Sequence, residues 1–311
     1  MDLFNFKVRT YSPKNQEELS LIKLLTCKMD LPRVGNNFFD ELIVVLVLYK
    51  MEIHNSPAVI SLTTALQSIQ QTTSVFIYDN SPTAHTHTLN ENWQITYRHD
   101  ANNPGVSKAY NEGFKCAKAQ NKNWMLLADQ DTSFEKDFFI KIREAVEAGH
   151  DQKLIVPIMI DQKGIVSPFH FHFGRGFRLK NISAGKYQLT EKKFINSGLL
   201  ISRNLFELTR GFDERYKLDF SDLAFIERLK SLISVFSVID STCTHSLFAT
   251  KDSSPEIALV RFKIYCDSAN LLGNQTGNFW VLIWKHLRAI AFSIKYFNWH
   301  FIQIAFACKN D

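Results

Sequence analysis

The sequence has no Cys-x-x-Cys pair. Its five cysteines (Cys27, Cys116, Cys243, Cys266 and Cys308) are odd in number and widely spaced. That excludes a zinc-finger or dithiol redox motif, and a reduced, cytosolic compartment is the simplest expectation. No secretory apolar core follows Met1, so no signal peptide is expected. The formal charge of +5 is small and scattered, without a basic stripe or a helix-turn-helix pattern. It suits a polyphosphate ligand or an anionic membrane surface and argues against a nucleic-acid partner. The Gly-rich phosphate loop with a following Lys or Arg is also missing, since residues 49–57 contain none after the first strong strand. Its absence counts against a nucleotidyltransferase.

What is present is globular. Hydrophobic residues make up 45% and charged residues 22% of 311, enough for a sizeable core and outside the disordered range. One large α/β domain with appended helices fits that length. Twenty-six Phe read as core and helix packing.

The order of elements predicts a mainly parallel central sheet flanked by helices. The β-branched run 41–49 reads as a buried parallel strand. Further strands are expected over 74–78, 93–98, 124–128, 153–159, 194–202 and 234–239. Helices are expected over 57–71, 105–120, 138–148 and 223–231. Strand and helix in alternation mark a parallel sheet with covered faces, whose ligands bind beyond the carboxyl ends of the strands. Asp79 and Asp129 sit at two such ends. Residues 160–193 read as irregular, apart from an alternating Phe-His strand at 169–173 with one exposed His face. The expected division is an N-terminal extension (1–38) with a helix near Leu19–Leu25, a main domain (39–248) and a C-terminal helical region (249–311). Within the last, Trp280, Ile283, Trp284, Leu287, Ala291 and Ile294 recur at helical spacing, with Lys285, Arg288 and Lys295 on the shoulder and no acidic residue between. Charge interrupts it too often for a bilayer span. An interfacial amphipathic helix and a helix docked on the domain or on a second copy are equal readings.

Five motifs carry possible chemistry. Asp129-Gln130-Asp131 ends an apolar strand. Two carboxylates so placed can hold a hard divalent cation with a diphosphate, or form a polar turn that caps the next helix. Asp79-Asn80-Ser81-Pro82 is a plain turn or a carboxylate that accepts hydrogen bonds from a base or ribose. Asn103, Gly105, Ala109, Asn111 and Gly113 complete an N-x-G-x-x-x-A-x-N-x-G pattern at a helix start. That pattern suits close backbone approach to an anionic ligand or simple capping. Asp219 and Asp222 precede a helix, as caps or with one as a general base. His245 follows the last strand and could meet a metal held by Asp131.

Together these motifs resemble the inverting glycosyltransferases of family 2 with the GT-A fold, in particular their bacterial rhamnosyltransferase branch. The similarity runs from about Leu42 to His245. It implies that Tyr49 lines the base site and Asp79 recognises the base. It places Asn103, Gly105, Asn111, Asp129, Ser197, Gly198 and Asp219 around substrate. Asp131 and His245 would meet a divalent metal (Mg2+ or Mn2+), and Asp222 would be the catalytic base. Gly211-Phe212-Asp213-Glu214 matches the turn before the catalytic helix, while Ala224 stands where the family has Glu. The implied reaction is a single displacement from a UDP- or dTDP-sugar, with rhamnose the first candidate. The acceptor would be a cell-surface glycan or lipid-linked saccharide at the inner face of the cytoplasmic membrane. A catalytically silent nucleotide-sugar-binding protein of the same fold is the alternative.

Overall fold

The computed structural model describes residues 37–85, 88–149, 153–245 and 254–307. The expected N-terminal extension and its helix lie outside them. After one helical turn, α1 (Phe38–Glu41), strand β1 runs Leu42–Leu48 with every residue buried. Leu42, Val44, Leu46 and Leu48 enter the core on one face of the sheet, and Ile43, Val45 and Val47 the core on the other. Burial on both faces is why this run is continuously apolar.

Strand β1 pairs in parallel with β2 (Thr73–Asp79) and β4 (Trp124–Asp129), and β2 with β3 (Trp93–His99). Helix α2 (Pro57–Ser68) links β1 to β2, and α3 (Val106–Ala119) links β3 to β4. Ser56 caps α2 by accepting from the Val59 amide, with Pro57 in the first turn where no amide is needed. Strand order departs in both directions from β1, so Leu48 lies opposite Asp79 and Val47 opposite Asp129. This is a switch point of the kind where open α/β sheets hold ligands.

The second half continues the sheet. Strands β6 (Leu154–Asp161) and β12 (Val235–His245) form another parallel pair. Strand β11 (Leu200–Ser202) lies antiparallel between β4 and β6, and β10 (Gly185–Gln188) closes the edge beside β12. Short β5 (Thr132–Ser133) and β7 (Gly164–Ser167) pair with β12 and β6. The main path of the ten-stranded sheet is β10-β12-β6-β11-β4-β1-β2-β3. Helices α4 (Phe138–Glu147), α5 (Arg203–Leu208) and α6 (Ser221–Leu229) complete this part. Helices α7 (Pro255–Thr276), α8 (Phe279–Tyr296) and α9 (His300–Ala307) pack on one another at the C-terminus.

Three expectations change. Residues 160–193 are strand-rich, with β7, β10 and a separate hairpin of β8 (Phe169–His172) and β9 (Arg175–Arg178). The alternating Phe-His strand expected at 169–173 is β8, but the other strands have only four residues each and β9 is wholly exposed, so no hydrophobic alternation announced them. The expected strand 194–202 is extended ladder only over Leu200–Ser202, because Gly198 turns the chain with φ 80° and donates its amide to the Leu127 carbonyl. The stretch 279–307 is two helices, broken at Phe297 with φ 49°.

Candidate active site

The loop after β1 is fastened by Gln130, the middle residue of the Asp129–Asp131 motif. Its side-chain oxygen accepts from the Tyr49 amide at 2.7 Å and its nitrogen donates to the Tyr49 carbonyl at 3.1 Å. Its own carbonyl accepts from the Ser56 hydroxyl at 2.7 Å. The Tyr49 side chain stays largely exposed at the strand edge, 42% accessible. Nearby, Asp79 is fully buried. One oxygen accepts from the Ser81 amide at 2.9 Å. The other receives the Tyr97 phenol at 2.7 Å and lies 2.9 Å from His85 Nδ1. Burial alone would raise this carboxyl, but the hydrogen bonds from Ser81, Tyr97 and His85 outweigh it and hold it below the ordinary value.

A continuous hydrogen-bonded chain joins Asp129 to His245. The Asp129 amide donates to Ser197 Oγ at 3.0 Å, Ser197 Oγ and Thr132 Oγ1 share a hydrogen bond at 2.8 Å, and Thr132 Oγ1 lies 3.0 Å from His245 Nδ1. That ring nitrogen is 3.6 Å from Asp131 Oδ1. The register of β5 on β12 sets Thr132 opposite His245 and so brings distant parts of the sequence together. Burial first, then the charge of Asp129, pushes the Asp131 carboxyl up to about 6 against the opposing pull of His245. A cation beside Asp131 would relieve that cost. One carboxylate and one imidazole at this spacing fit two ligands of a single hard ion, with phosphate oxygens filling the rest. Among the described residues no set of three or more His, Cys, Asp and Glu is arranged for a metal.

The Asn103–Gly113 segment makes close contacts within the chain itself. Gly105, at φ 102°, approaches the chain's own Lys217: an added Cβ would stand 2.2 Å from the Lys217 carbonyl oxygen, and the Val106 amide donates to that oxygen at 2.8 Å. The Asn111 amide group is occupied by the turn after α5. It accepts from the Phe212 amide at 2.8 Å and donates to the Phe212 carbonyl and to Glu214, both at 3.0 Å. Gly113 lets α3 lie against Val45. Asn103 adopts φ 46° in the turn before α3 and donates its amide to the Asp100 carbonyl at 3.2 Å. The segment therefore aligns α3, the 211–214 turn and the loop that carries Lys217. The member that reaches the carboxylates is Tyr110, which the pattern did not single out. Its phenol donates to Asp129 Oδ1 at 2.7 Å. Burial, followed by the charges of Asp129, Asp131 and Asp222, holds that phenol well above its ordinary pKa.

Asp222 lies in the first turn of α6, after Phe220 in the left-handed conformation with φ 62°. Asn196 secures this start by donating to Ser221 Oγ at 3.0 Å, and Ser221 donates to the Leu218 carbonyl. The carboxyl of Asp222 is pushed up to about 6, chiefly by burial and less by Asp219 and Asp129, against the Leu223 amide that donates to Oδ1 at 2.7 Å. Asp219 is paired with Arg261 of α7, a partner that sequence spacing gave no sign of. Both aspartates line a cavity of about 350 Å³ whose walls come mainly from β8, β9, Phe220 and Tyr265. Ala224 packs with Tyr216, Ala269, Leu272 and Val281 beneath α7 and α8. A glutamate there would meet an apolar cluster, so the C-terminal helices account for the departure from the family pattern. Gly198 meets Pro157 closely, an added Cβ falling 2.6 Å from its Cγ, and this positions Ser197 beside Asp129.

Residues 53–205 match the family model described as glycosyl transferase family 2. That span is a family 2 glycosyltransferase domain. With the mainly parallel sheet and the C-terminal helices, it has the GT-A fold. The dTDP-rhamnosyl transferase RfbF of Shigella flexneri is 25% identical over 166 residues, which are 52% of this chain and 55% of that protein. The chain thus spans about half the length of this curated relative. Among solved structures, S. aureus TarS in complex with UDP-GlcNAc is 15% identical with a TM-score of 0.48, over 77% of this chain and 72% of that one. TarS in complex with UDP gives 14% identity and a TM-score of 0.46, over 74% and 65%. These structural likenesses are too loose to carry any residue role across.

Proposed function

We propose that this chain is an inverting, metal-dependent glycosyltransferase that uses a UDP- or dTDP-sugar, with dTDP-rhamnose the first donor to test. The observation that carries the reading is the hydrogen-bonded run from Tyr110 through Asp129, Ser197 and Thr132 to His245, which ends 3.6 Å from Asp131 at the carboxyl edge of the sheet. The family 2 match supports the reaction class, and the name of the Shigella relative supports a rhamnosyl donor.

The division of labour follows from the surroundings of each carboxylate. Asp222 faces the cavity with a carboxyl raised to about 6, which makes it a stronger base than an ordinary aspartate and still ionised at neutral pH. It takes the proton of the acceptor hydroxyl as that oxygen attacks the anomeric carbon. Asp219 is held by Arg261, so Asp222 is left as the cavity's proton acceptor, and a single displacement with inversion is the outcome. Asp131 and His245 would hold a divalent cation, Mg2+ or Mn2+, which supplies positive charge for the leaving diphosphate. Ser197 and Thr132 orient His245 through the hydrogen-bonded chain that starts at Asp129. Tyr49 and the Asp79 turn form the base end of the donor site, with Asp129 beside the sugar. The acceptor is a glycan or lipid-linked saccharide.

Incubation with a panel of nucleotide sugars, read by nucleoside diphosphate release, tests the proposal. Asp222→Asn should retain donor binding and lose transfer by about 10²–10⁴-fold. Transfer at the wild-type rate by that variant removes Asp222 as the base.

A further inference from the structure

The cavity in front of Asp222 has a composition that selects its occupant, given the proposed role of Asp222 as the base facing the acceptor. Its walls include Phe169, Phe171, Phe177, Phe220 and Tyr265. Flat aromatic walls suit the C–H face of a sugar ring, and the volume of about 350 Å³ lies at the small end of small-molecule sites.

Four charged residues line the same space, and three are accounted for. Asp222 is the base. Asp219 pairs with Arg261, and Arg178 forms a two-pronged ion pair with Asp161, 2.6 Å on each arm. The fourth is Arg288 of α8. Its guanidinium lies over the Tyr265 ring at 4.4 Å and the Phe292 ring at 5.3 Å, which fix its position. Among the described residues no carboxylate lies within ion-pair distance of it. Arg288 is therefore a pre-positioned cation at an aromatic cavity: one hydrogen bond goes to the Tyr265 hydroxyl, which leaves further donors of its fork for a planar or tetrahedral anion.

The C-terminal helices also hold the opposite wall. The Trp284 indole donates to the Phe173 carbonyl at 2.7 Å, and Arg175 is sandwiched between Phe177 and Trp284 at 4.7 and 4.9 Å. Gly174 approaches α8 so closely that a Cβ would meet the Trp280 backbone at 2.5 Å. The β8–β9 hairpin is thus seated on the helix that carries Arg288, and the cavity is a built feature.

We infer that the acceptor is an acidic saccharide: one ring rests on the aromatic walls and its carboxylate or phosphate pairs with Arg288, leaving a hydroxyl for Asp222. Binding to the full chain tests this without turnover. Three probes on one ring are compared by calorimetry or ligand-observed NMR: methyl glucoside, methyl glucuronoside and glucose 6-phosphate. At least one acidic probe should bind about tenfold tighter than the neutral one, as expected for a charge-assisted pair. Arg288→Gln should abolish that preference, and Arg288→Lys should keep part of it. Preference for the glucuronoside alone identifies a uronic acid, and preference for the phosphate alone a phosphate ester. Equal binding of all three probes, no acidic probe binding at millimolar concentration, or a preference that survives Arg288→Gln overturns the inference. UDP and dTDP titrations on the same samples keep the two readings apart. If neither nucleotide binds but the Arg288-dependent preference is present, the transferase reading fails alone.

Discussion

Asp222 is asked to be both buried and ionised, and its stability contribution carries the sign of that conflict. Its carboxyl titrates at about 6 in the folded chain, against 3.8 for an ordinary aspartate. Between those values the folded state binds more protons than the unfolded one, so stability falls as pH rises through that window. Asp222→Asn removes the charge and keeps an oxygen for the Leu223 amide. The variant should therefore be more stable than wild type at pH 8, by an amount on the order of 1 kcal/mol, and the two should converge near pH 4. Urea unfolding at both pH values measures this, and a variant less stable at pH 8 would contradict the assigned environment. The same titration predicts that transfer rises with pH through about 6 in wild type. At this scale the sequence correctly placed Asp79 and Asp129 at strand ends and Asp222 at a helix start. It was silent on Tyr110, Gln130, Arg261 and Arg288. Their roles depend on partners 19, 81, 42 and 23 residues away, respectively Asp129, Tyr49, Asp219 and Tyr265, and no local pattern encodes such pairings.

Among the elements, the junction of α3 with the loop before α6 decides whether Asp222 faces the cavity. Gly105 is the contact point, with a positive φ and no space for a Cβ against Lys217. Gly105→Ala combines an unfavourable backbone conformation with a collision against main chain, for a loss of about 2–4 kcal/mol. Because the displaced segment leads to Asp222, the transfer rate should fall further than nucleotide affinity does. Unfolding curves together with separate donor binding and turnover measurements check this, and unchanged stability would exclude the tight junction. The parallel core of the sheet was legible because β1, β2 and β4 are buried and strongly apolar. Of the four-residue strands of 164–188, β8 was legible from its Phe-His alternation, but β7, β9 and β10 were not, since edge pairing and exposed faces leave no period-2 signature. The contacts that the Asn103–Gly113 pattern makes within the chain are architectural. Asn111 holds the 211–214 turn, and Gly105 and Gly113 admit close neighbours.

For the whole molecule, the remaining unbalanced feature is the outer face of α8 and α9. Trp280, Ile283, Leu287, Ile290 and Ile294 are exposed along α8, followed by Phe297 at 97% and Trp299 at 73%. No Asp or Glu occurs from 268 to 310, and with Lys285 buried against Asn270 and Arg288 turned over Tyr265, Lys295 is the described basic residue of α8 left for this face. No helix among the described residues is long and apolar enough to cross a membrane. An apolar stripe on a cationic element suits the interface of an anionic bilayer, where buried aromatic area and headgroup charge add. The chain should therefore co-sediment with vesicles containing phosphatidylglycerol, bind neutral phosphatidylcholine vesicles much less, and release as salt screens the charges. Replacing Ile290 and Ile294 by Asp should abolish binding without touching the cavity residues. If the double variant still binds, or if it converts a dimer to a monomer while vesicle binding is absent throughout, the face is an interface between copies. Because Arg288 lies on the same helix as the stripe, a membrane-seated α8 would also set the direction from which the acceptor enters.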